Sequence, residues 1–273
     1  MDVQEPICPF DVSAYTGTPD AEPCAQSLPV ALPELIAQLD ALYDTGREAE
    51  AGPFLENWLA EARRLGDWRA ELSLLSELLG HYRRSKEEAK AVTAVRDALS
   101  LIREHRMGST VSGATVMLNA ATTLKCFGRA GESLPLFEQV SRVYGDNLDP
   151  ADYRFGGLYN NMALSYQDLG RFELAEQCFK HALAAIARCP EPDNELAVTW
   201  CNLAELYHAQ DPLDERVGES LEQAWSHLNA PNLRRDGYHA FTASKCAPCF
   251  SYLGYFLYAR ELKERAASIY EGA

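Results

Sequence analysis

Residues 158–190, LYNNMALSYQDLGRFELAEQCFKHALAAIARCP, contain the clearest structural signal in the chain. Apolar residues in the first half stand at 0, +3, +4 and +7, the spacing of one helical face: Tyr159, Met162, Ala163 and Tyr166. Gly170 interrupts the pattern, and the same spacing then resumes at Phe172, Ala175, Phe179, Ala182 and Ile186. Small residues beside large ones allow two antiparallel helices to pack closely, so the stretch predicts a helical hairpin.

The hairpin pattern recurs along the sequence. The key residues that open the first helix of each copy are spaced by 40, 42, 42, 41 and 43 residues: Leu35, Leu75, Met117, Tyr159, Trp200 and Ala243. The predicted hairpins cover roughly residues 32–65, 68–105, 110–145, 152–189, 193–229 and 236–271. Prolines at 6, 9, 19, 23 and 29 exclude a helix that runs through residues 1–30. The sequence therefore predicts a proline-rich N-terminal arm over residues 1–31 and a repeat domain over residues 32–273.

Two residues indicate where helices begin in the early repeats. Asp67, directly before Trp68, is a suitable N-cap for the first helix of the second repeat. Pro53 lacks the N–H that a helix interior needs, so we expect it in the first turn of its helix. Pro135 holds the corresponding position in the third repeat, which supports the same register.

These offsets resemble those of the tetratricopeptide repeat, with large-x-x-large-Ala-x-x-Tyr, a turn Gly, then aromatic-x-x-Ala-x-x-x-Phe-x-x-Ala. The repeats are about eight residues longer than the common unit of 34. With Asn160-Asn161-x-Ala-x-x-Tyr in the first helix, they resemble the repeats of kinesin light chains and their bacterial relatives. The resemblance implies an all-α, right-handed superhelix of about six hairpins, whose first helices line a concave groove.

Composition limits the classes of partner. Forty acidic and 25 basic residues give a net charge of −15, which argues against nucleic acid or an anionic membrane as the main partner. The sequence has no apolar run long enough to span a membrane, and the segment MDVQEPICPFDVS does not resemble a secretory signal. We therefore expect a cytoplasmic protein whose eight cysteines are reduced, and the resemblance to bacterial relatives implies that it is bacterial.

Three asparagines recur two residues after the key position, at Asn119, Asn161 and Asn202. In the resembled family an asparagine at this offset faces the ligand and bonds the main chain of an extended peptide. A carboxamide suits that role because it offers a donor and an acceptor together. The alternative is that these amides hold neighbouring hairpins together inside the fold. The sequence leaves both interpretations open.

Further polar residues are predicted on the same face. They are Asn160, Lys125, Arg83, Arg84, Gln167, Glu205 and His208. Arg83, Arg84 and Lys125 would form a basic stretch suited to a carboxylate or an acidic peptide segment. For Arg83 and Arg84 the alternative is that they are solvated residues at a helix end.

The sequence gives no sign of catalysis. Cys246-Ala-Pro-Cys249 resembles a thiol–disulfide motif, but it lies inside a helical pattern without a preceding strand. His239 is the nearest further zinc-ligand candidate, and a site needs more ligands at fixed spacing. No phosphate-binding, nucleotide-binding or hydrolase motif occurs. We therefore expect a protein that is not an enzyme, with no cofactor and no metal.

Together these patterns predict a protein-interaction module that binds an extended peptide or partner segment in its groove. One alternative is a self-associating scaffold that forms a homodimer through its last hairpin. Apolar residues are concentrated there: Phe256, Leu257, Leu262, Ile269 and Tyr270. Another alternative is a peptide-sensing regulatory domain that acts with a separate effector.

Overall fold

The computed structural model describes residues 30–272, so nearly all of the predicted N-terminal arm lies outside the described residues. Twelve α-helices and no strand are found in this range. They are α1 (Leu32–Asp44), α2 (Glu48–Leu65), α3 (Trp68–Arg84), α4 (Glu88–Glu104), α5 (Val111–Cys126), α6 (Ala130–Asn147), α7 (Arg154–Asp168), α8 (Phe172–Ile186), α9 (Asp193–Gln210), α10 (Glu215–Leu228), α11 (Gly237–Tyr252) and α12 (Phe256–Gly272). The predicted all-α fold of six hairpins is confirmed.

The helices form two compact units, one ending at Asn147 and the other beginning at Leu148. In each unit the two helices of a hairpin pack together, and the hairpin packs against the next one. Within these units α3 also contacts α5, and α9 contacts both α7 and α11. Within each unit we call the odd-numbered helices the first-helix layer and the even-numbered helices the second-helix layer.

The packing inside the hairpins follows the small-and-large pattern of the sequence. In α8, Ala175, Phe179 and Ala182 are all fully buried. A buried phenylalanine flanked by alanines lets α7 approach α8 closely, because the alanines leave room for the facing helix. The apolar face that the sequence indicates is therefore the face that the second unit buries.

Local signals set the helix boundaries. The side chain of Asp67 accepts a hydrogen bond from the backbone N–H of Ala70 at 3.1 Å, so the predicted N-cap of α3 is confirmed. Gly170 has φ of +69°, a left-handed conformation that glycine adopts without a steric penalty. It therefore allows the chain to leave α7 and turn into α8.

The expected position of Pro53 is wrong. α2 begins at Glu48, so Pro53 lies in the second turn, inside the helix. A proline there removes the hydrogen bond to the carbonyl four residues earlier, that of Ala49. Ala49 is exposed, so water can solvate this carbonyl. Pro135 lies inside α6 in the same way, and the corresponding residue, Gly131, is also exposed.

None of the helices between residues 30 and 272 combines the length and the apolar character that crossing a membrane requires.

Candidate interaction surface

The recurring asparagines lie between or within helices of the first-helix layer. Asn119 of α5 is 6% exposed, and its Nδ2 donates to Ser76 Oγ of α3 at 2.8 Å. Asn202 of α9 is fully buried, and its Nδ2 lies 3.5 Å from Asn160 Oδ1 of α7. In both pairs the amide two residues after one key position meets the residue directly after the preceding key position. These amides therefore link consecutive first helices.

Asn160 and Asn161 complete this set of amides. Asn160 is fully buried and donates from Nδ2 to Thr199 Oγ1 at 2.8 Å, a second link between α7 and α9. Asn161 is 1% exposed and donates to the carbonyl of Gly157 in its own helix at 2.9 Å. These contacts favour the interpretation in which the amides hold the repeats together. Peptide contact by Asn119, Asn161 and Asn202 stays a prediction.

The two predicted arginines lie together on α3. A Cβ atom on Gly80 would lie 3.7 Å from Arg84 Nη1 and 3.9 Å from Arg83 Nη2, so both guanidinium groups lie beside this glycine. Arg84 stacks on the ring of Tyr43 in α1, 4.7 Å from its centroid, and donates to Tyr43 Oη at 2.5 Å. Arg83 Nη1 lies 3.5 Å from the carbonyl oxygen of Asn119 in α5. The pair thus connects three first helices.

Lys125 is the third residue of the predicted basic stretch, and it is buried. It is 2% exposed, and its Nζ has no hydrogen-bond partner within residues 30–272. Arg265, whose side chain is 8% exposed, is by contrast paired with Glu261 at 2.7 Å. A buried ammonium without a partner is costly because it has lost its hydration without gaining a counter-charge. An incoming carboxylate would supply that counter-charge.

Tyr43, Arg83 and Lys125 share a position that the sequence reasoning did not use. Each stands eight residues after the key residue of its repeat, so the three occupy the same offset in α1, α3 and α5. The prediction of site residues omitted Tyr43 because it considered only charged and other polar side chains in this region. The position eight residues after each key residue, compared across the repeats, identifies Tyr43 as well.

The remaining predicted residues lie on the first helices of the unit that begins at Leu148: Gln167 on α7, and Glu205 and His208 on α9. Gln167 Oε1 of α7 is buried and has no hydrogen-bond partner in the described part of the chain. His208 of α9 meets the ring of Tyr252 of α11 edge-on, with centroids 5.4 Å apart. Glu205 is half-buried on α9. Residues that the sequence predicts to bind a peptide are therefore present in both units.

The cysteine motif lies inside α11. Cys246 and Cys249 are both fully buried free thiols, and Cys249 Sγ lies 3.5 Å from the carbonyl oxygen of Cys201 in α9. Burial, together with hydrogen bonds that the Cys201 thiol donates to Cys246 and Cys249, raises the pKa of Cys201 well above its ordinary value. The Cys201 thiol therefore stays protonated and unreactive. Within residues 30–272, no group of three or more His, Cys, Asp or Glu side chains is arranged to hold a metal.

Antiparallel helix pairs whose first helices pack side by side define a helical-repeat protein, an α-solenoid. Residues 155–215 match the model of the tetratricopeptide repeat family. The predicted resemblance to tetratricopeptide repeats is confirmed by this match and by solved structures with the same fold. No curated protein sequence matches the chain at a significant level.

Two solved structures illustrate the likeness. The crystal structure of BtubC (BKLC) from P. vanneervenii has a TM-score of 0.57 and 20% identity, over 82% of this chain and 91% of that chain. A putative kinesin light chain from Podosopora anserina, with nearly identical tetratricopeptide-like repeats, has a TM-score of 0.53 and 20% identity, over 72% of this chain and 94% of that chain. At this identity they show the fold. Repeat solenoids of this kind commonly serve as protein-interaction modules and are generally not catalytic.

Proposed function

We propose that this protein binds an extended segment of a partner protein, and that the first-helix layer of residues 30–147 binds an acidic part of that segment. The observation that carries the proposal is the buried ammonium of Lys125, which lacks a partner within residues 30–272. Arg83, at the same offset in the preceding repeat, forms no ion pair within those residues. These cations stand in a chain of net charge −15.

A carboxylate is the ligand chemistry that these contacts favour. Nearby cations of the same unit, such as Arg63 and Lys90, already pair with carboxylates of the chain at 2.6–2.9 Å. Arg83 and Lys125 keep their capacity to bind an anion, and a guanidinium offers several donors in a planar arrangement. A peptide that carries aspartate, glutamate or a terminal carboxylate would supply acceptors for both.

The asparagines form a second part of the proposal. To donate to a peptide main chain, Asn119 would have to exchange its Nδ2 hydrogen bond to Ser76 for one to the ligand, whereas its buried Oδ1 has no hydrogen-bond partner within residues 30–272. Such an exchange is close to neutral, since one bond of about 1 kcal/mol replaces another. The amide contact is therefore compatible with the buried state of the free protein, provided the side chain rotates.

Lys125→Met is the test that separates binding from folding. Methionine has a similar length and no charge, so we expect the variant to gain about 1 kcal/mol or more in free energy of unfolding. Partner capture from the native cell should fall at the same time, and Arg83→Gln should lower it further. Arg96→Gln is the matched control, because Arg96 is an exposed cation on α4 in the second-helix layer.

The outcome is read from quantitative co-purification of each variant. A partner that is captured by the intact protein and by Arg96→Gln, but lost from Lys125→Met, would support the proposal. Equal capture by the intact protein, Arg96→Gln and Lys125→Met would contradict the proposal. The partner would then bind without the positive charge of Lys125.

A second candidate function is self-association through α12. Phe256 is 68% exposed, Leu257 71% and Tyr270 55%, so a large apolar surface of this helix faces solvent. Light scattering across micromolar concentrations would test it, with Leu257→Glu as the variant. A dimer that Leu257→Glu dissociates would support this function. A monomer at every concentration would exclude it.

A further inference from the structure

A pocket of about 460 Å³ lies in the unit that ends at Asn147, between α4, α5 and α6. Its walls come from the last turns of α4, the loop after it, and the facing sides of α5 and α6. The lining residues are Leu99, Ile102, Arg103, Arg106, Gly108, Ser109, Met117, Leu136 and Gln139. The volume falls within the range of small-molecule sites, about 300–1,000 Å³.

The pocket combines apolar walls with positive charge. The apolar side chains come from three helices: Leu99 and Ile102 of α4, Met117 of α5 and Leu136 of α6. Arg103 and Arg106 are exposed and also line the pocket, and neither forms an ion pair with any described residue. Two arginines without counter-charges beside an apolar surface fit a ligand that carries an anionic head and an apolar tail.

Arg106 is held in a conformation that usually requires glycine. Its φ is +56°, and it occupies the left-handed position after α4. The N–H of Arg106 donates to the carbonyl of Arg103 at 3.3 Å, and that of Met107 donates to the carbonyl of Ile102 at 2.9 Å. At five other described turns the residue with positive φ is a glycine, namely Gly46, Gly66, Gly128, Gly170 and Gly254, and at two it is Lys86 or Glu191. An arginine at this position costs backbone strain, which is a reason to look for a role for its side chain.

The loop that carries Arg106 is fixed on both sides. The ring of His105 stacks on Trp68, with centroids 3.9 Å apart. Gln139 of α6 donates from Nε2 to the carbonyl of Gly108 at 3.1 Å. A ligand would therefore meet guanidinium groups on a backbone that is already in place, so binding would not require the loop to become ordered.

We propose that this pocket binds an amphipathic carboxylate, with the carboxylate on Arg103 and Arg106 and the apolar part against Leu99, Ile102 and Leu136. The ligand chemistry has two possible sources: a free aliphatic acid, or the C-terminal residue of a peptide with an apolar side chain. The pocket is lined by α4, the loop after it, α6 and Met117 of α5, and neither Arg83 nor Lys125 of the proposed peptide surface lines it.

The first experiment titrates the full chain with sodium octanoate and, separately, with octanol and with acetate, by calorimetry. Octanoate should bind in a saturable manner and at least about tenfold more tightly than either control, because only octanoate offers both the charge and the tail. The proposal would be overturned if octanol bound as tightly as octanoate. It would also be overturned if neither octanoate nor the peptide with a free C-terminus, described next, bound to the protein.

The peptide arm distinguishes the two sources. A five-residue peptide ending in leucine is compared with the same peptide amidated at its C-terminus. Tight binding of the free acid alone, with weak binding of octanoate, identifies a peptide terminus as the ligand. The reverse result identifies a free acid. Either pattern supports the pocket, whereas equal binding of the acid and the amide contradicts it.

Arg106→Gly separates the ligand role from the fold. Because glycine relieves the left-handed strain, the variant should melt no lower than the original protein and still bind octanoate about tenfold more weakly. Lys86→Gly is the matched control, because Lys86 also has a positive φ, +58°, in the turn after α3, and the substitution removes one positive charge there as well. Arg103→Gln should weaken binding similarly. Unchanged affinity in Arg106→Gly and Arg103→Gln would refute the assignment.

Discussion

At the scale of single residues, the position of a polar side chain decides whether it joins the fold or binds a ligand. The sequence allows Asn119 either to face a peptide or to link neighbouring hairpins, and in the structure it donates to Ser76 of the neighbouring first helix. The sequence places the amide at a repeated offset but does not show how the side chain rotates about χ1. That rotation depends on Ser76, which lies 43 residues away in the chain.

The link between Asn119 and Ser76 should appear as a coupling energy. We expect a double-mutant cycle with Asn119→Ala and Ser76→Ala to give about 1 kcal/mol of coupling in the free energy of unfolding, measured with urea. If the losses in free energy of unfolding of the two single variants add up to that of the double variant, the hydrogen bond does not contribute to the packing of the repeats.

His239 gives the fold a pH dependence of known sign. The residue is fully buried, its Nδ1 lies 3.1 Å from Asn194 Oδ1, and burial, with the nearby charges of Arg265 and Arg235, lowers its pKa. A His pKa that is lower in the folded state contributes stability above its unfolded value, about 6.5, and this contribution is lost as the pH falls. We therefore expect the melting temperature to fall between pH 7.5 and pH 5.5.

His239→Gln supplies the comparison, because glutamine does not titrate. The drop in melting temperature over this pH range should be smaller in the variant. It should not vanish, since burial and the neighbouring Arg84 also lower the pKa of His81. Staying above pH 5 keeps carboxylates with ordinary pKa values, near 4, out of the measurement. Burial raises the pKa of Glu195, and a raised carboxyl pKa acts in the opposite sense, because it adds stability as the pH falls. The same drop in both proteins would mean that His239 is not the responsible group.

At the scale of the elements, helix positions were predicted well where the signal was local. The turn glycine at Gly170 and the N-cap at Asp67 both act within a few residues, so the sequence contains their whole cause. Pro53 was misplaced because its tolerance depends on a carbonyl that reaches solvent, which is a property of the packed hairpin.

Two helical glycines should respond in opposite ways to alanine. A Cβ at Gly113 would lie 2.1 Å from the carbonyl oxygen of Met107, and backbone cannot move aside, so Gly113→Ala should destabilise the fold by about 1–3 kcal/mol. At Gly80 the nearest atom would be 3.7 Å away, an ordinary contact, so Gly80→Ala should stabilise α3 by about 0.5–1 kcal/mol. Chemical denaturation of both variants checks the signs, and equal effects would contradict the packing described here.

At the scale of the whole molecule, a period of about 42 residues was sufficient to predict the fold class. Each hairpin is a local structure, and its apolar face needs only a neighbouring copy to become buried. The candidate surface was less accessible to prediction. The burial of Lys125 and the pairing of Arg84 with Tyr43 arise from side chains of different repeats, and the pocket beside Arg106 requires three helices to meet.

The central claim is that partner binding occurs on the first-helix layer, beside Arg83 and Lys125. Photo-crosslinking in the native cell tests it most directly, with benzoylphenylalanine placed either at Ala37 of α1 or at Arg96 of α4, both exposed. We expect a crosslink to the partner from position 37, and we expect it to disappear in the Arg83→Gln/Lys125→Met double variant. No crosslink should form from position 96. A crosslink from position 96 alone, or one from position 37 that persists without the two cations, would contradict it.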